Sequence, residues 1–414
     1  MEKEHFLFDE AEVCDYNSDS QTVFVMRWIL CVFSVASLIG KPLDIEVTAC
    51  SAIVMNADTG VILYGKNPHV SAYPASITKI ATAAFVLDHK KPNLGQMVTV
   101  SAEAVRLRPQ NKEGDFPAYW GAIDGTRMGL IRGEIISIEA LLHGLMLVSG
   151  NDAANAIAEA VSGSVPSFLE EMNAYIRELG CANTQFMNPH GYHHPEHFTT
   201  AYDICLITKR ALQIPKFREI VSTISYMKPK TNKRPAEEMR QFNPLLKPGK
   251  HFYSKAIGVK TGFHSHALNT LVAAAEHEGR TLIAVLLGCP KRAARYQDAI
   301  RLFEKAFSET KESRRFFDSE EVFSREISGA KRPLRASLTS PLDLTFYPSE
   351  EPVCKAHLHW DIVRLPVRKG QKVGEVRIHS QGGELLQKGD LLAKEEVEGT
   401  FFFVLKEKLS SGFR

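Results

Sequence analysis

Three short polar motifs lie in order along the chain: Ser76-Ile77-Thr78-Lys79, Ser149-Gly150-Asn151 and Lys260-Thr261-Gly262. A serine hydroxyl is a weak nucleophile until a neighbouring base takes its proton. Ser76 follows Pro74 and is placed to open a helix, which puts Lys79 one turn along on the same face. Burial and the positive charge of Lys260 would lower the Lys79 pKa, so that its amine could act as that base. Backbone N–H groups at the helix start would favour the negative charge that develops on an attacked carbonyl. The chemistry these residue types suit is acyl transfer through a serine ester.

Each motif alone carries little weight. A Ser-x-x-Lys pattern arises roughly once or twice by chance in a chain of this size and composition, and Ser76 alone reads as a helix cap. The other two are rarer, with chance expectations of about 0.1 per chain at average residue frequencies, so the ordered set is the signal. Ser149 and Asn151 fall where one helical stretch ends and another begins, a tight turn that can aim two polar side chains at one point. Lys260-Thr261-Gly262 ends a β-rich run. Its edge could pair with an extended peptide, and Gly262 would let that backbone come close.

The elements around these motifs follow from hydrophobic spacing. Ser51–Met55 and Val61–Tyr64 flank a turn ending in Asp-Thr-Gly and predict a hairpin. Helices are predicted over 77–87, 135–148, 153–161, 165–179 and 201–212, with Ile138, Leu141, Leu142, Leu145 and Met146 at helical spacing. Strands are predicted over 256–260, 268–275 and 281–287, the last two as a second hairpin, and a helix over 293–307. Strands at both ends of a helical middle predict an α+β unit with an antiparallel sheet built from distant segments. Residues 311–337 are charged and read as a linker; from Leu338 onward, short strands with Gly and Pro punctuation predict a separate small all-β domain over 338–400.

The motif set resembles that of penicillin-binding proteins and class A β-lactamases. The flanks PASITKIATA, LLHGLMLVSGNDAANAIAE, FMNPHGYHHPEHFTTAYD and GVKTGF resemble the D-alanyl-D-alanine carboxypeptidases among the low-molecular-mass penicillin-binding proteins. The likeness runs from Ala49 to Phe307 and continues more faintly into the β domain at LPVRKGQKVGE. It implies a β-lactamase/transpeptidase-like domain over 45–310, with a helical subdomain on its sheet. It also implies removal of the terminal D-alanine from peptidoglycan stem pentapeptides and covalent binding of β-lactams. Ser76 would be the acylated nucleophile, Lys79 its base, and Ser149 the relay of a proton to the leaving D-alanine. Asn151 would hold the substrate amide; Lys260 and Thr261 would contact the terminal carboxylate, with Gly262 beside them in the substrate-binding strand. The backbone N–H groups of Ser76 and Phe263 would form the oxyanion hole, and Arg295 would help fix the carboxylate. One departure stands out: His264 occupies a place where the family usually carries a hydroxyl that donates to that carboxylate, so His264 or Ser265 must substitute.

Other readings are weaker. The same groups could serve a D,D-endopeptidase. A class A-like β-lactamase needs a water-positioning carboxylate, normally in an ExxLN-type run, and none occurs between Asn151 and Lys260. A non-catalytic binder of cell-wall peptides is opposed by the intact Ser76 and Lys79. His193-His194-Pro195-Glu196-His197 fits the HxxEH pattern of zinc peptidases, but that pattern works only on a helix, which Pro195 opposes. No metal and no cofactor is expected.

Composition narrows the remaining classes. With 50 Lys and Arg against 48 Asp and Glu, and no basic cluster, the chain has no signature of a nucleic-acid partner. Its 7 cysteines form no CxxC pair, so neither a structural zinc nor a disulfide scaffold is implied, and Cys50, Cys181, Cys205 and Cys289 read as core residues. Trp28 to Ile39 is an apolar run after Arg27, of signal-peptide length, which predicts export and a leader over 1–40 with Met26 as the expected start. Val47-Thr48-Ala49-Cys50 looks like a lipoprotein site but is separated from the apolar run by Asp44 and Glu46. In the tail, 401–414, Phe401, Leu405, Leu409 and Phe413 recur at i+4 steps, an amphipathic pattern that could rest on the outer face of the cytoplasmic membrane.

Overall fold

Strands whose apolar residues leave no polar face must be buried on both sides, and three segments of the chain are of this kind. In the computed structural model, which describes residues 41–109, 116–402 and the backbone of Cys31–Ser34, they form the middle of a five-stranded antiparallel sheet. The strands are β1 (Ser51–Asn56), β2 (Ile62–Lys66), β3 (Ala256–His264), β4 (Leu268–His277) and β5 (Arg280–Cys289). Their spatial order is β2-β1-β5-β4-β3, so the chain's first and last strands of this unit pair across more than 200 residues, as Ile53 opposite Val285. Side chains alternate between two cores. Ile53, Met55, Val272, Ala274, Ile283 and Val285 face the helices, whereas Ala52, Val54, Leu271, Ala273, Leu282 and Ala284 face the other side.

Among the described residues, seven α-helices accompany the sheet: α1 (Lys79–Ala84), α2 (Ile138–Leu147), α3 (Asn151–Ser162), α4 (Val165–Glu178), α5 (Ala201–Leu212), α6 (Pro215–Ser222) and α7 (Ala294–Phe307). Serine and threonine side chains start three of them: Ser137 accepts from Ala140 N–H, Ser164 from Ser167 N–H and Thr200 from Asp203 N–H. α7 covers the second face with Tyr296, Ala299, Leu302, Phe303 and Ala306. α6 was not expected from spacing; at eight residues it offers barely two turns of periodicity. The helix expected over 77–87 is divided into a 3₁₀ turn (Ala75–Thr78), α1, and a wider π-type segment (Phe85–Lys90). Ile135–Ser137, read as the start of α2, instead pairs with Met97–Thr99 as a short ribbon.

The second unit has its own core of Leu334, Ala336, Leu338, Val373, Val376, Ile378 and Leu391. Its six-stranded sheet runs in the order Cys31–Ser34, Cys354–Trp360, Lys372–Ser380, Leu385–Ala393, Leu334–Leu338, Phe323–Arg325. The segment read as a linker therefore contributes strands, including Glu312–Phe317, which pairs with Leu342–Phe346. Its charged residues lie on exposed faces, so they masked the inward alternation of Leu334, Ala336 and Leu338. Of the expected leader, Cys31–Ser34 pairs with Cys354–Trp360, and of the expected amphipathic tail, only Phe401 and Phe402 lie among the described residues; both are exposed. No described helix is long and apolar enough to cross a membrane.

One carboxylate ties the helical layer to the second polar motif. Asp152, buried in the first turn of α3, accepts from the N–H groups of Met128, Gly129 and Leu130 at 2.8, 2.8 and 2.9 Å. The same strip is held by Thr126, whose carbonyl accepts from Asn151 N–H and whose hydroxyl donates to the Ser149 carbonyl. An unpaired buried N–H costs about 1–3 kcal/mol. Asp152→Ala is therefore expected to lower stability by about 3 kcal/mol or more, seen as a reduced urea midpoint with an unchanged slope.

Candidate active site

The nucleophile turn begins with a backbone that only its surroundings can hold. Ala75 has φ +52°, a left-handed conformation costing an L-residue roughly 1–2 kcal/mol. Thr270 of β4 donates its hydroxyl to the Pro74 carbonyl, and Thr78 donates to the Ala75 carbonyl. Two glycines make room for this turn. A Cβ on Gly262 would lie 3.0 Å from the Ser76 nitrogen, and a Cβ on Gly191 would lie 1.9 Å from the Ala75 oxygen. Gly191 also has φ +89°, so both conformation and space require glycine there. β3 thus runs directly alongside Ser76, with Phe263 following Gly262 on the strand.

Lys79 is fully buried at the start of α1. Its Nζ lies 2.7 Å from Asn151 Oδ1, 2.6 Å from the His190 carbonyl oxygen and 3.2 Å from Ser76 Oγ. Burial holds its pKa well below the usual lysine value; the Lys260 cation pushes the same way and Asp152 opposes. A neutral amine has two N–H groups and one lone pair. The two carbonyl oxygens take the N–H groups, which leaves the lone pair for the Ser76 hydroxyl to donate into. The first and second motifs are thereby joined through one nitrogen.

The second motif lies between α2 and α3. Ser149 has φ +60° and a buried hydroxyl oxygen with no hydrogen-bond partner among the described residues. Such a buried hydroxyl has capacity for a further hydrogen bond, to a water or to a bound group. The third motif sits within β3 and not at its end, because pairing with β4 continues through His264 opposite Leu268. β3 is the outer strand of the sheet. Lys260 is buried, and its amine donates to the Thr261 carbonyl. Burial, helped by the Arg295 charge, lowers its pKa to about 7.

Arg295 lies at the start of α7, also buried. It donates to the carbonyls of Gly262 and Thr270 at 2.6 and 2.9 Å and to the Tyr296 hydroxyl at 2.7 Å. Its N–H groups are thus directed at the carbonyls of β3 and β4, and it supports the strand that carries the third motif. His264 is partly buried; its Nδ1 accepts from Ala267 N–H, and burial with the neighbouring His193 and His266 lowers its pKa to about 4.

Sequence reading missed the segment 188–191. It docks on α1 through two main-chain oxygens, the Pro189 carbonyl accepting from Thr82 and the His190 carbonyl from Lys79, and Gly191 abuts Ala75 in the 3₁₀ turn before α1. Asn188 holds this loop by accepting from Gly191 N–H and donating to the Tyr192 carbonyl. His190 is buried and neutral, accepting from Tyr192 N–H at Nδ1 and donating from Nε2 to the Tyr119 carbonyl. Main-chain oxygens carry no residue-type signal; the Asn-Pro-His-Gly turn was the available clue.

The HxxEH stretch is a turn, not a helix. Both His197 nitrogens are occupied, Nδ1 by Met187 N–H and Nε2 by the Thr78 hydroxyl, so His197 supports the nucleophile turn. Cys181, Cys205 and Cys289 are buried as expected; Cys50 is exposed, its thiol donating to the Gly288 carbonyl.

Comparison with known proteins agrees with this geometry. The family model described as D-alanyl-D-alanine carboxypeptidase matches residues 39–291. The D-alanyl-D-alanine carboxypeptidase DacF of Bacillus subtilis is 28% identical over 367 residues, covering 87% of this chain and 88% of that protein. The D-alanyl-D-alanine carboxypeptidase of Streptomyces sp. strain K15 is 32% identical over 283 residues, covering 66% of this chain and 91% of the relative. Among solved structures, penicillin binding protein 5 from Haemophilus influenzae is similar with a TM-score of 0.59 and 26% identity, covering 86% of this chain and 99% of that one. The Streptomyces K15 DD-transpeptidase is similar with a TM-score of 0.57 and 31% identity, over 64% of this chain and 99% of the other. With a serine, a buried lysine and a KTG strand brought to one point, and with these relatives, the chain belongs to the serine-type D-alanyl-D-alanine carboxypeptidase family.

Proposed function

We propose that Ser76 attacks the carbonyl of the penultimate D-alanine of a peptidoglycan stem pentapeptide, with the steps divided among the residues as follows. The observation that carries this reading is the Lys79 amine, desolvated and held by two carbonyl oxygens with its third direction toward Ser76 Oγ. Neutral Lys79 takes the hydroxyl proton as the Ser76 oxygen bonds to the carbonyl carbon. The resulting oxyanion accepts from the N–H groups of Ser76 and Phe263. Ser149, whose hydroxyl oxygen has no hydrogen-bond partner among the described residues, passes a proton from Lys79 to the departing D-alanine nitrogen as the amide bond breaks. Water then cleaves the ester and regenerates Ser76.

Binding falls to the outer strand. Asn151 donates through its amide nitrogen to the substrate while its oxygen stays on Lys79. Lys260 and Thr261 hold the terminal carboxylate, with His264 in place of the family's hydroxyl. Gly262 lets the substrate backbone approach β3. Arg295 acts through the Gly262 and Thr270 carbonyls and adds positive charge beneath the carboxylate. A β-lactam carries the same carboxylate and acyl group, so it acylates Ser76 as well. The apolar run at Trp28–Ile39 supports export to the periplasmic or extracytoplasmic side, with peripheral membrane contact through 401–414.

Three outcomes follow. A fluorescent penicillin should label the protein covalently; Ser76→Ala should abolish labelling and Lys79→Ala should slow it by about 10²–10⁴-fold. An ester at any other residue would overturn the assignment. The pH profile of kcat/KM should be bell-shaped. Below the depressed Lys79 pKa the amine is protonated and cannot act as base, so the rate climbs with pH. Above about 7, Lys260 loses its proton and with it the hold on the carboxylate, so the rate falls. The two limbs report the coupled pair, and a rate still rising at pH 10 would contradict these roles. Digestion of purified muropeptides should convert pentapeptide to tetrapeptide before cross-linked dimers are lost; the reverse order would identify an endopeptidase.

A further inference from the structure

Three histidines outside the catalytic set converge beside the nucleophile turn. His193 comes from the loop after Gly191, and His264 and His266 come from the end of β3 and the turn beyond it. One ring nitrogen of each lies within 4.8 Å of the others. We propose that His193, His264 and His266 form a binding site for a divalent late-transition-metal ion, zinc above all, next to the active-site turn.

The chemistry of the donors supports this ion class. Three neutral imidazoles suit zinc, copper or nickel, whereas calcium and magnesium require oxygen ligands. A His₃ set also leaves a fourth position open, as in catalytic or inhibitory zinc sites. His193 Nδ1 is buried and has no hydrogen-bond partner among the described residues. The ring of His193 lies parallel to that of His266 at 3.9 Å and 5.3 Å from that of His264. Tyr73, three residues before Ser76, closes the cluster edge-on against His193 at 4.7 Å.

Two adjustments are required. Tetrahedral ligation at about 2.0–2.1 Å brings donor nitrogens to roughly 3.3 Å from one another, so the rings must close by about 1.5 Å. His264 Nδ1 accepts from Ala267 N–H, which puts the ring proton on Nε2. Ligation through Nε2 moves that proton to Nδ1 and gives up this hydrogen bond. Part of that closing is a rotation of the exposed His266 off its stack on His193 and its 3.3 Å hydrogen bond with Ser265, so that both rings aim a nitrogen at one ion; His193 has no bond to give up at Nδ1 among the described residues.

The test uses the full chain without a histidine tag, stripped by a chelator and dialysed, and titrated with Zn²⁺ in a calorimeter. One ion per chain is expected, and Co²⁺ in its place should show the visible absorption of a tetrahedral nitrogen-ligated site. His193→Ala and His266→Ala should each weaken binding roughly tenfold or more, since even outer-shell partners of a metal are worth that much. Both variants should still form the penicillin ester, which shows that they are folded. Absence of zinc binding by the parent chain, or an affinity in both variants equal to the parent's, would overturn the proposal. Because binding is read without turnover, either result stands whether or not the assigned catalytic roles hold.

Discussion

A lysine amine sealed from water, with carbonyl oxygens on two sides and a serine hydroxyl on the third, is the interaction on which the rest of this structure depends. An ammonium in such a place would lose its hydration, and the deep burial of Lys79 shifts its balance toward the neutral form. The neutral form is the one that can accept a proton. Three separate parts of the chain supply the cage: α1 carries the amine, the junction of α2 and α3 carries Asn151, and the 188–191 loop carries the His190 carbonyl.

Holding those parts within hydrogen-bond distance requires backbones to touch. Gly262 and Gly191 stand where any side chain would strike the nucleophile turn, and Ala75 and Ser149 sit at positive φ on either side of the amine. These conformations are costly in isolation and persist because packing and hydrogen bonds over-determine them. Thr270, His197 and Asp152, none of them in the three motifs, fasten the strained pieces in place together with Thr78 of the first motif.

Charge is arranged in series behind the site. Arg295 lies beneath β3 and depresses Lys260, Lys260 depresses Lys79, and the buried Asp152 offsets part of the excess. Burial first, and repulsion among neighbouring cations second, thus lower the pKa of both lysines. His264 lies in this field with His193 and His266 as neighbours, so the three form one patch beside the strand.

How much of this was legible in the residues alone can be stated by element. The five strands and most helices were visible because their apolar spacing reports burial directly, and Ser76, Lys79, Ser149, Asn151 and Lys260 were visible because their types and order are rare together. The charged strands within 311–337 were read as a linker because exposed charge hides a two-residue alternation, and α6 was too short to show a period. The amino-acid sequence by itself determined which side chains could react and which faces would be buried. Only the tertiary structure decided that the Lys79 amine meets the His190 carbonyl, that Arg295 grips strands, and that His193 meets His266. Those contacts join residues far apart in the chain through main-chain atoms or ring faces, and no local pattern encodes them.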